Sequence, residues 1–230
     1  MVYDWLMRLV LFLLRPVYYL LYHQFAWTYD FVAGIVSLGQ WRNWVQVALP
    51  YLHGRVLELG FGPGHLQLSL HQKGLLSFGM DESRFMARQA SRRLQKAGAV
   101  LRLSRGLVQS LPFPAGAFDT VVATFPAEYI FDPRTLDEIR RVLIPGGALV
   151  ILPLAWITGI RPLERFIAWL MRVTGEAPGQ PGFLPAPVRS LFTSRGFDLR
   201  QEIVSLPKSK VLVLLANAPQ SPGFPPSSPP

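Results

Sequence analysis

At 230 residues, half of them apolar, the chain is long enough for one well-buried core with appendages and too short for two full domains. It has no cysteine, which excludes disulfides, thiolate metal sites and cysteine nucleophiles; His23, His53, His65 and His71 show no metal-ligand spacing, so no metal is expected. The formal charge of +9, nearly all from arginine, leaves an anionic membrane surface and a nucleic acid as partner classes to weigh.

From the N-terminus, Trp5 to Tyr22 is strongly apolar, but Arg8 and Arg15 interrupt it and Pro16 kinks it. No uninterrupted span of about 18–20 apolar residues remains, so a transmembrane helix is not expected. Arg8 and Arg15 share one helical face with Asp4, while Leu9, Leu13, Leu14, Val17, Leu20 and Leu21 fill the others. This pattern predicts either a helix lying in a membrane interface, giving peripheral contact through residues 1–22, or a lid packed on the domain that follows. No basic start and no small-residue cleavage site marks a secretory signal. A cytoplasmic location is expected, at the inner membrane face under the first alternative. Trp41 to Leu49 reads as a further helix ended by Pro50, leading into the first strand.

The apolar run Val56 to Leu59 has the length of a buried parallel strand. Gly60, Gly62 and Gly64 break it before an amphipathic helix over Leu66 to Lys73. A strand, a glycine turn and a helix make a nucleotide-cofactor loop: bare backbone at Gly60, Gly62 and Gly64 lets a ligand approach, and the helix N-terminus favours an anionic ligand end. The spacing is Glu58-x-Gly60-x-Gly62-x-Gly64, not the G-x-G-x-x-G of dinucleotide loops, which counts against a nicotinamide oxidoreductase.

Leu75 to Asp81 reads as a second strand ending in an acid about 20 residues past the first glycine, where a carboxylate meets ribose hydroxyls in doubly wound folds. Asp81, with Glu82 beside it, is therefore a cofactor candidate. Ser83 is an N-cap, and Arg84, Arg88, Arg92 and Lys96 then recur every four residues as a basic stripe on one helix. A stripe of this kind reads first as a solvated helix face, and it lacks the interleaved aromatics of a single-strand binding surface, which argues against nucleic acid. Val100 to Leu103 is the expected third strand and Phe118 to Phe125 the fourth, its C-terminal end Thr124 to Tyr129 facing the crevice where open α/β sheets bind ligands. Pro133 to Leu143 forms an amphipathic helix, and Pro145-Gly146-Gly147 turns into a fifth strand, Ala148 to Leu152. A helix over Arg161 to Val173, a Pro/Gly-rich loop to Pro187 and a closing antiparallel pair, Phe197 to Ser205 and Lys210 to Ala216, complete the order. The Pro/Ser-rich residues from Pro219 onward are expected to be disordered.

Five blocks in order between residues 54 and 152 resemble the class I S-adenosylmethionine (SAM)-dependent methyltransferases, and within them the type-11 methyltransferase domain. They are the acid and G-x-G-x-G of the loop, the strand ending at Asp81, Gly106-Leu107-Val108-Gln109-Ser110-Leu111-Pro112-Phe113, the Phe118-Asp119-x-Val121 start of the fourth strand, and Leu136 to Val150, which reads L-D-E-I-R-R-V-L-I-P-G-G-A-L-V. The resemblance implies a doubly wound, Rossmann-like α/β sheet, mostly parallel with a C-terminal antiparallel strand and helices on both faces. It divides the chain into N-terminal helices over 1–50, a methyltransferase domain over 51–217 with a helical insertion at 154–190, and a Pro-rich tail over 218–230. It implies SAM as cosubstrate, held by Glu58, Gly60, Phe61, Gly62, Gly64, Asp81, Glu82, Leu107, Val108 and Thr124. Where the family pattern has an aspartate that reads the adenine amino group, this chain has Leu107, which leaves adenine to the backbone of Leu107 and Val108. The expected reaction is methyl transfer to a small apolar or lipid-like acceptor. No dedicated catalytic residue is required; Glu128 and Tyr129 at the crevice and His23 and Tyr29 on the N-terminal segment are candidates for a base. An RNA or nucleic-acid methyltransferase and a non-catalytic SAM-binding membrane-associated protein are the alternatives. Thr124-Phe125-Pro126-Ala127-Glu128-Tyr129 is not the N/D-P-P-Y/F of enzymes acting on nucleobase amino groups, which lowers the first of these.

Overall fold

The computed structural model describes residues 39–158 and 184–220. The N-terminal segment Trp5 to Tyr22, His23, Tyr29, the helix expected over Arg161 to Val173 and the tail beyond residue 220 lie outside the described residues. In chain order the elements are α1 (Trp41–Gln46), a 3-10 turn (Leu49–Tyr51), β1 (Arg55–Leu59), α2 (His65–Gln72), β2 (Leu76–Asp81), α3 (Arg84–Lys96), β3 (Leu103–Arg105), β4 (Phe118–Thr124), a second 3-10 turn (Glu128–Phe131), α4 (Pro133–Val142), β5 (Leu143–Ile157), α5 (Ala186–Thr193), β6 (Asp198–Leu206) and β7 (Ser209–Asn217). The strands form one seven-stranded sheet ordered β3-β2-β1-β4-β5-β7-β6. β3 through β5 pair in parallel, and β7 runs antiparallel between β5 and β6. The chain leaves β1 towards β2 on one side and later returns to place β4 on the other, so the topological switch lies between β1 and β4. A ligand crevice is expected above their C-terminal ends.

Alternation along the strands divides the core between the two faces. Leu57 and Leu59 of β1, Val121 and Ala123 of β4, Leu149 and Ile151 of β5 and Leu214 and Ala216 of β7 pack with Leu136 and Ile139 of α4 and Phe192 of α5. Val56, Val122, Val150, Val211 and Val213 face the opposite way and pack with Trp44 and Val45 of α1 and Leu66 and Leu70 of α2. The helix starts follow local chemistry. Ser83 accepts the Met86 N–H at 3.3 Å to cap α3, and Asp132 accepts the Arg134 N–H at 2.9 Å ahead of Pro133, whose missing N–H suits the first turn of α4.

Three segments differ from the sequence-based expectation. The third strand, expected over Val100 to Leu103, starts only at Leu103: pairing to β2 begins where the Arg102 carbonyl accepts the Gly79 N–H, and Val100, 67% exposed, lies short of that ladder. Pro50 does not simply stop the first helix; the chain tightens into a 3-10 turn that holds it at an N-terminal position where its missing N–H is harmless. The fifth strand, expected over Ala148 to Leu152, extends in both directions. Pro145-Gly146-Gly147 is absorbed as an irregularity between the pairs Phe118–Leu143 and Thr120–Ala148, and beyond Leu152 antiparallel pairing to β7 carries the strand to Ile157, into the stretch assigned to the insertion.

Candidate active site

A cavity of about 440 Å³ opens over the C-terminal ends of β1, β2 and β4, lined by residues of the loops that follow β1 to β4. Its centre of organisation is Asp81. One carboxylate oxygen accepts the Gly62 N–H at 2.9 Å, the other accepts the Ser83 N–H at 2.8 Å, and the Asp81 carbonyl accepts the Gly106 N–H at 3.2 Å. One residue thereby ties together the loops after β1, β2 and β3. Burial pushes its pKa up, and the two backbone N–H donors oppose that shift. Each oxygen accepts one bond here and retains capacity for a second, which is the provision a ribose diol requires.

The three loop glycines are required for different reasons. A Cβ at Gly60 would land on the Tyr129 hydroxyl, whose proton is donated to the Leu59 carbonyl at 3.3 Å. At Gly64 it would meet the Ala90 Cβ of α3 at 2.8 Å, so this glycine permits α2 and α3 to approach. Gly62, at φ +50°, has no atom within 4 Å of a Cβ position and lines the cavity; a side chain there would enter ligand space.

Of the residues singled out from sequence, Gly60, Gly62, Asp81, Glu82, Leu107, Val108, Thr124 and Tyr129 line this cavity. Glu58, Phe61, Gly64 and Glu128 do not. Glu58 alternates to the same face as Val56, beneath α2, where Gln67 Nε2 donates to it at 2.9 Å and Ser77 in turn donates to Gln67 Oε1 at 3.0 Å. Buried to 1% exposure, its carboxyl is pushed up to about 8 by desolvation, the Gln67 bond opposing and the nearby Asp81 charge adding to the shift. Phe61 turns into the core over Gly79, whose absent side chain makes the room. Glu128 is exposed on the second 3-10 turn. Among the described residues, no group of three or more His, Asp or Glu side chains is placed to hold a metal, and no helix is long and apolar enough to cross a membrane.

The segment after β4, expected at the crevice from its place in the sheet, supplies another side of the cavity, and its backbone and aromatic support are not evident from sequence. Phe125, just after β4, sits at φ +50°, uncommon for a bulky non-glycine residue and worth about 1–3 kcal/mol of strain. Its N–H is held by the Leu152 carbonyl at 2.7 Å. Its ring lies 4.7 Å from that of Trp41 and 6.0 Å from that of Trp44, and the Trp44 indole donates to Ser209 Oγ at 2.7 Å. α1 and the start of β7 thus buttress an aromatic side of the cavity. Phe125 is extended by Pro126 and Ala127, while the carboxylates that face the cavity, Asp81 and Glu82, sit on the β2 side. The bare-backbone loop and ribose-type carboxylate on one side fit an adenosine-bearing cosubstrate, and the other side offers apolar surface to a second molecule.

Comparison with known proteins agrees with this geometry. A family model described as a methyltransferase domain matches residues 57–151. The demethylmenaquinone methyltransferase of Thermus thermophilus is 34% identical over 208 residues, covering 80% of this chain and 94% of that protein. The phosphatidylethanolamine N-methyltransferase of Cereibacter sphaeroides is 35% identical over 127 residues, covering 54% of this chain and 62% of its own length. Among solved structures, the Haemonchus contortus phosphoethanolamine N-methyltransferase 2, in complex with phosphomonomethylethanolamine and S-adenosylhomocysteine, superposes with a TM-score of 0.57 at 17% identity, covering 79% of this chain and 53% of that one; at such identity the likeness concerns the fold.

Proposed function

The chain belongs to the class I SAM-dependent methyltransferases with the type-11 methyltransferase domain, and from that premise we propose that its acceptor is a small apolar or lipid-like molecule, an isoprenoid quinone precursor being the first candidate. The observation that carries the proposal is where charge lies in the cavity: Asp81 and Glu82, the charged residues of its lining, both sit at the end of β2, whereas the segment after β4 lines it with Phe125, Pro126 and Ala127 between the uncharged Thr124 and Tyr129, Phe125 being backed by Trp41. The Thermus relative's name supports the quinone class, and the Cereibacter relative's name supports a lipid acceptor more broadly.

When bound, SAM supplies an activated methyl group on a sulfonium that is a good leaving group. In this proposal Asp81 and the Gly60–Gly64 loop hold the cosubstrate, and Leu107 and Val108 flank its base. Phe125 and Pro126 exclude water and align the acceptor; proximity and alignment of this kind are worth up to about 7–11 kcal/mol of barrier. Tyr129 reaches the cavity, but its hydroxyl proton is directed to the Leu59 carbonyl, so its first role is positional and a base role is secondary. Peripheral membrane contact through residues 1–22 remains part of the proposal, as does the assignment of the sites.

The test is incubation of the protein with methyl-labelled SAM and a total cell extract, followed by partition. Label in the neutral-lipid fraction, moving with quinones, is the expected result. Label confined to RNA or to water-soluble compounds would overturn the acceptor class.

A further inference from the structure

Residues 83–105 contain seven cations, Arg84, Arg88, Arg92, Arg93, Lys96, Arg102 and Arg105, and no acid, so this one stretch holds most of the chain's excess charge. The burial of Ala90 and Leu94 orients α3, leaving Arg84, Arg88 and Arg92 exposed on its outer face. None of these three has a hydrogen-bond or ion-pair partner among the described residues. With Arg105, whose guanidinium donates to the Glu82 carbonyl at 3.3 Å, they line a shallow concavity of about 420 Å³ between α3 and the edge strand β3. Like charges four apart on a helix repel, and here no acid relieves them. The arrangement gives these arginines no ion pair among the described residues and presents concentrated positive charge to its surroundings.

We infer that the outer face of α3 and the adjoining β3 edge form a docking surface for an anionic lipid bilayer. Large apolar side chains are exposed on the same segment: Phe85 at 36%, Leu101 at 39% and Val100 at 67%, with Leu107 at 58% just beyond β3. Cations that reach head groups, combined with apolar side chains that enter the acyl boundary, are the composition of an interfacial surface. A single-stranded nucleic acid would instead call for a row of exposed aromatics on which bases stack. The patch also meets the active site. Arg84 follows Ser83, and both Ser83 and Leu107 line the cavity. A bilayer held against α3 therefore lies at the cavity rim, where an apolar acceptor dissolved in that bilayer would enter. The inference rests on the lipid-like acceptor proposed above.

The experiment is flotation of the full-length protein with phosphatidylcholine vesicles, plain or doped with phosphatidylglycerol. The parent should prefer the doped vesicles and be released by salt. Loss of each arginine contact is worth about fivefold, so the triple variant Arg84→Gln, Arg88→Gln, Arg92→Gln should bind doped vesicles roughly a hundredfold more weakly, whereas the corresponding triple lysine variant should keep the binding. Calorimetry with S-adenosylhomocysteine should give the parental affinity for both variants, showing that the fold is intact. Parental flotation of the glutamine variant, no preference of the parent for doped vesicles, or tighter arginine-dependent binding to a single-stranded RNA than to the vesicles would each overturn the inference. Arginine-dependent flotation without methyl transfer to any apolar acceptor would sink the acceptor assignment and leave the docking surface standing.

Discussion

Asp81 performs two tasks that are separable in principle. Its side chain closes the loops after β1 and β2 through Gly62 and Ser83, and in the proposed site the same oxygens would accept from a ribose. Asp81→Ala should therefore weaken S-adenosylhomocysteine binding by about 1.5–3 kcal/mol, ten- to roughly a hundredfold, because charge-assisted bonds are lost and the loop loses its tie. Gly62→Val should abolish binding by a different route, since its side chain meets no protein atom and projects into ligand space. Gly62→Ala carries the same φ cost with less volume and should bind measurably. Calorimetric affinities that are unchanged in Asp81→Ala and Gly62→Val would remove the cosubstrate from this cavity.

At the scale of elements, α4 controls the segment that carries Leu107. Arg141 donates to the Phe113 carbonyl at 2.7 Å and the Leu111 carbonyl at 2.9 Å, and it forms a two-pronged pair with Glu138, which in turn accepts the Leu111 N–H at 2.7 Å. The Arg141 guanidinium holds the Glu138 carboxyl below its ordinary range. This fork clamps the loop between β3 and β4 onto the helix that precedes β5, so the geometry of the cavity wall at Leu107 and Val108 depends on a helix that does not line the cavity. Arg141→Ala should cost about 1–3 kcal/mol of stability and speed hydrogen exchange over residues 107–113, and Arg141→Lys should recover little because an ammonium cannot span both carbonyls and the carboxylate. Exchange in that loop equal to the parent's would show that the clamp is dispensable.

The whole molecule responds to Glu58. Its carboxyl is raised in the folded state to about 8 from an ordinary 4.5, so the native protein keeps a proton that the unfolded chain releases between those values. Unfolding is then accompanied by proton loss, and stability contributed by the neutral form is present below about pH 4.5 and declines as pH rises towards 8, by up to about 1.4 kcal/mol per unit. Glu58→Gln keeps an acceptor for Gln67 and removes the titration. Urea unfolding of parent and variant across this range should show the decline only in the parent. Asp81, also raised, contributes a slope of the same sign in both proteins, so the difference between them reports Glu58. Parallel profiles would mean that Glu58 is ionised in the folded state.

Local signals were sufficient for the class of fold. A parallel strand buried on both faces is a continuous apolar run, a turn that needs bare backbone is glycine, and helix starts are marked by Ser83 and Asp132, so β1, the loop, Asp81 and α4 were legible in order. The ends of β3 and β5 were not, because a strand persists as far as its neighbour supplies partners: β7 carries β5 to Ile157, and β2 lets β3 begin only at Leu103. The candidate site was legible on its cosubstrate side for the same reason, since backbone approach and a strand-end carboxylate leave residue types at set spacings. On the far side the place of Thr124 to Tyr129 at the crevice was legible, but the form of that wall was not: Phe125 takes a left-handed turn supported by Trp41 and Trp44, distant in sequence, while Glu58 and Phe61, which belong to the motif, were turned by strand alternation and by the space over Gly79 into the core. The chain alone states which backbone must be bare and where a carboxylate ends a strand; which side chains face the ligand depends on strand direction and on packing between residues far apart in the sequence, and those are properties of the folded sheet.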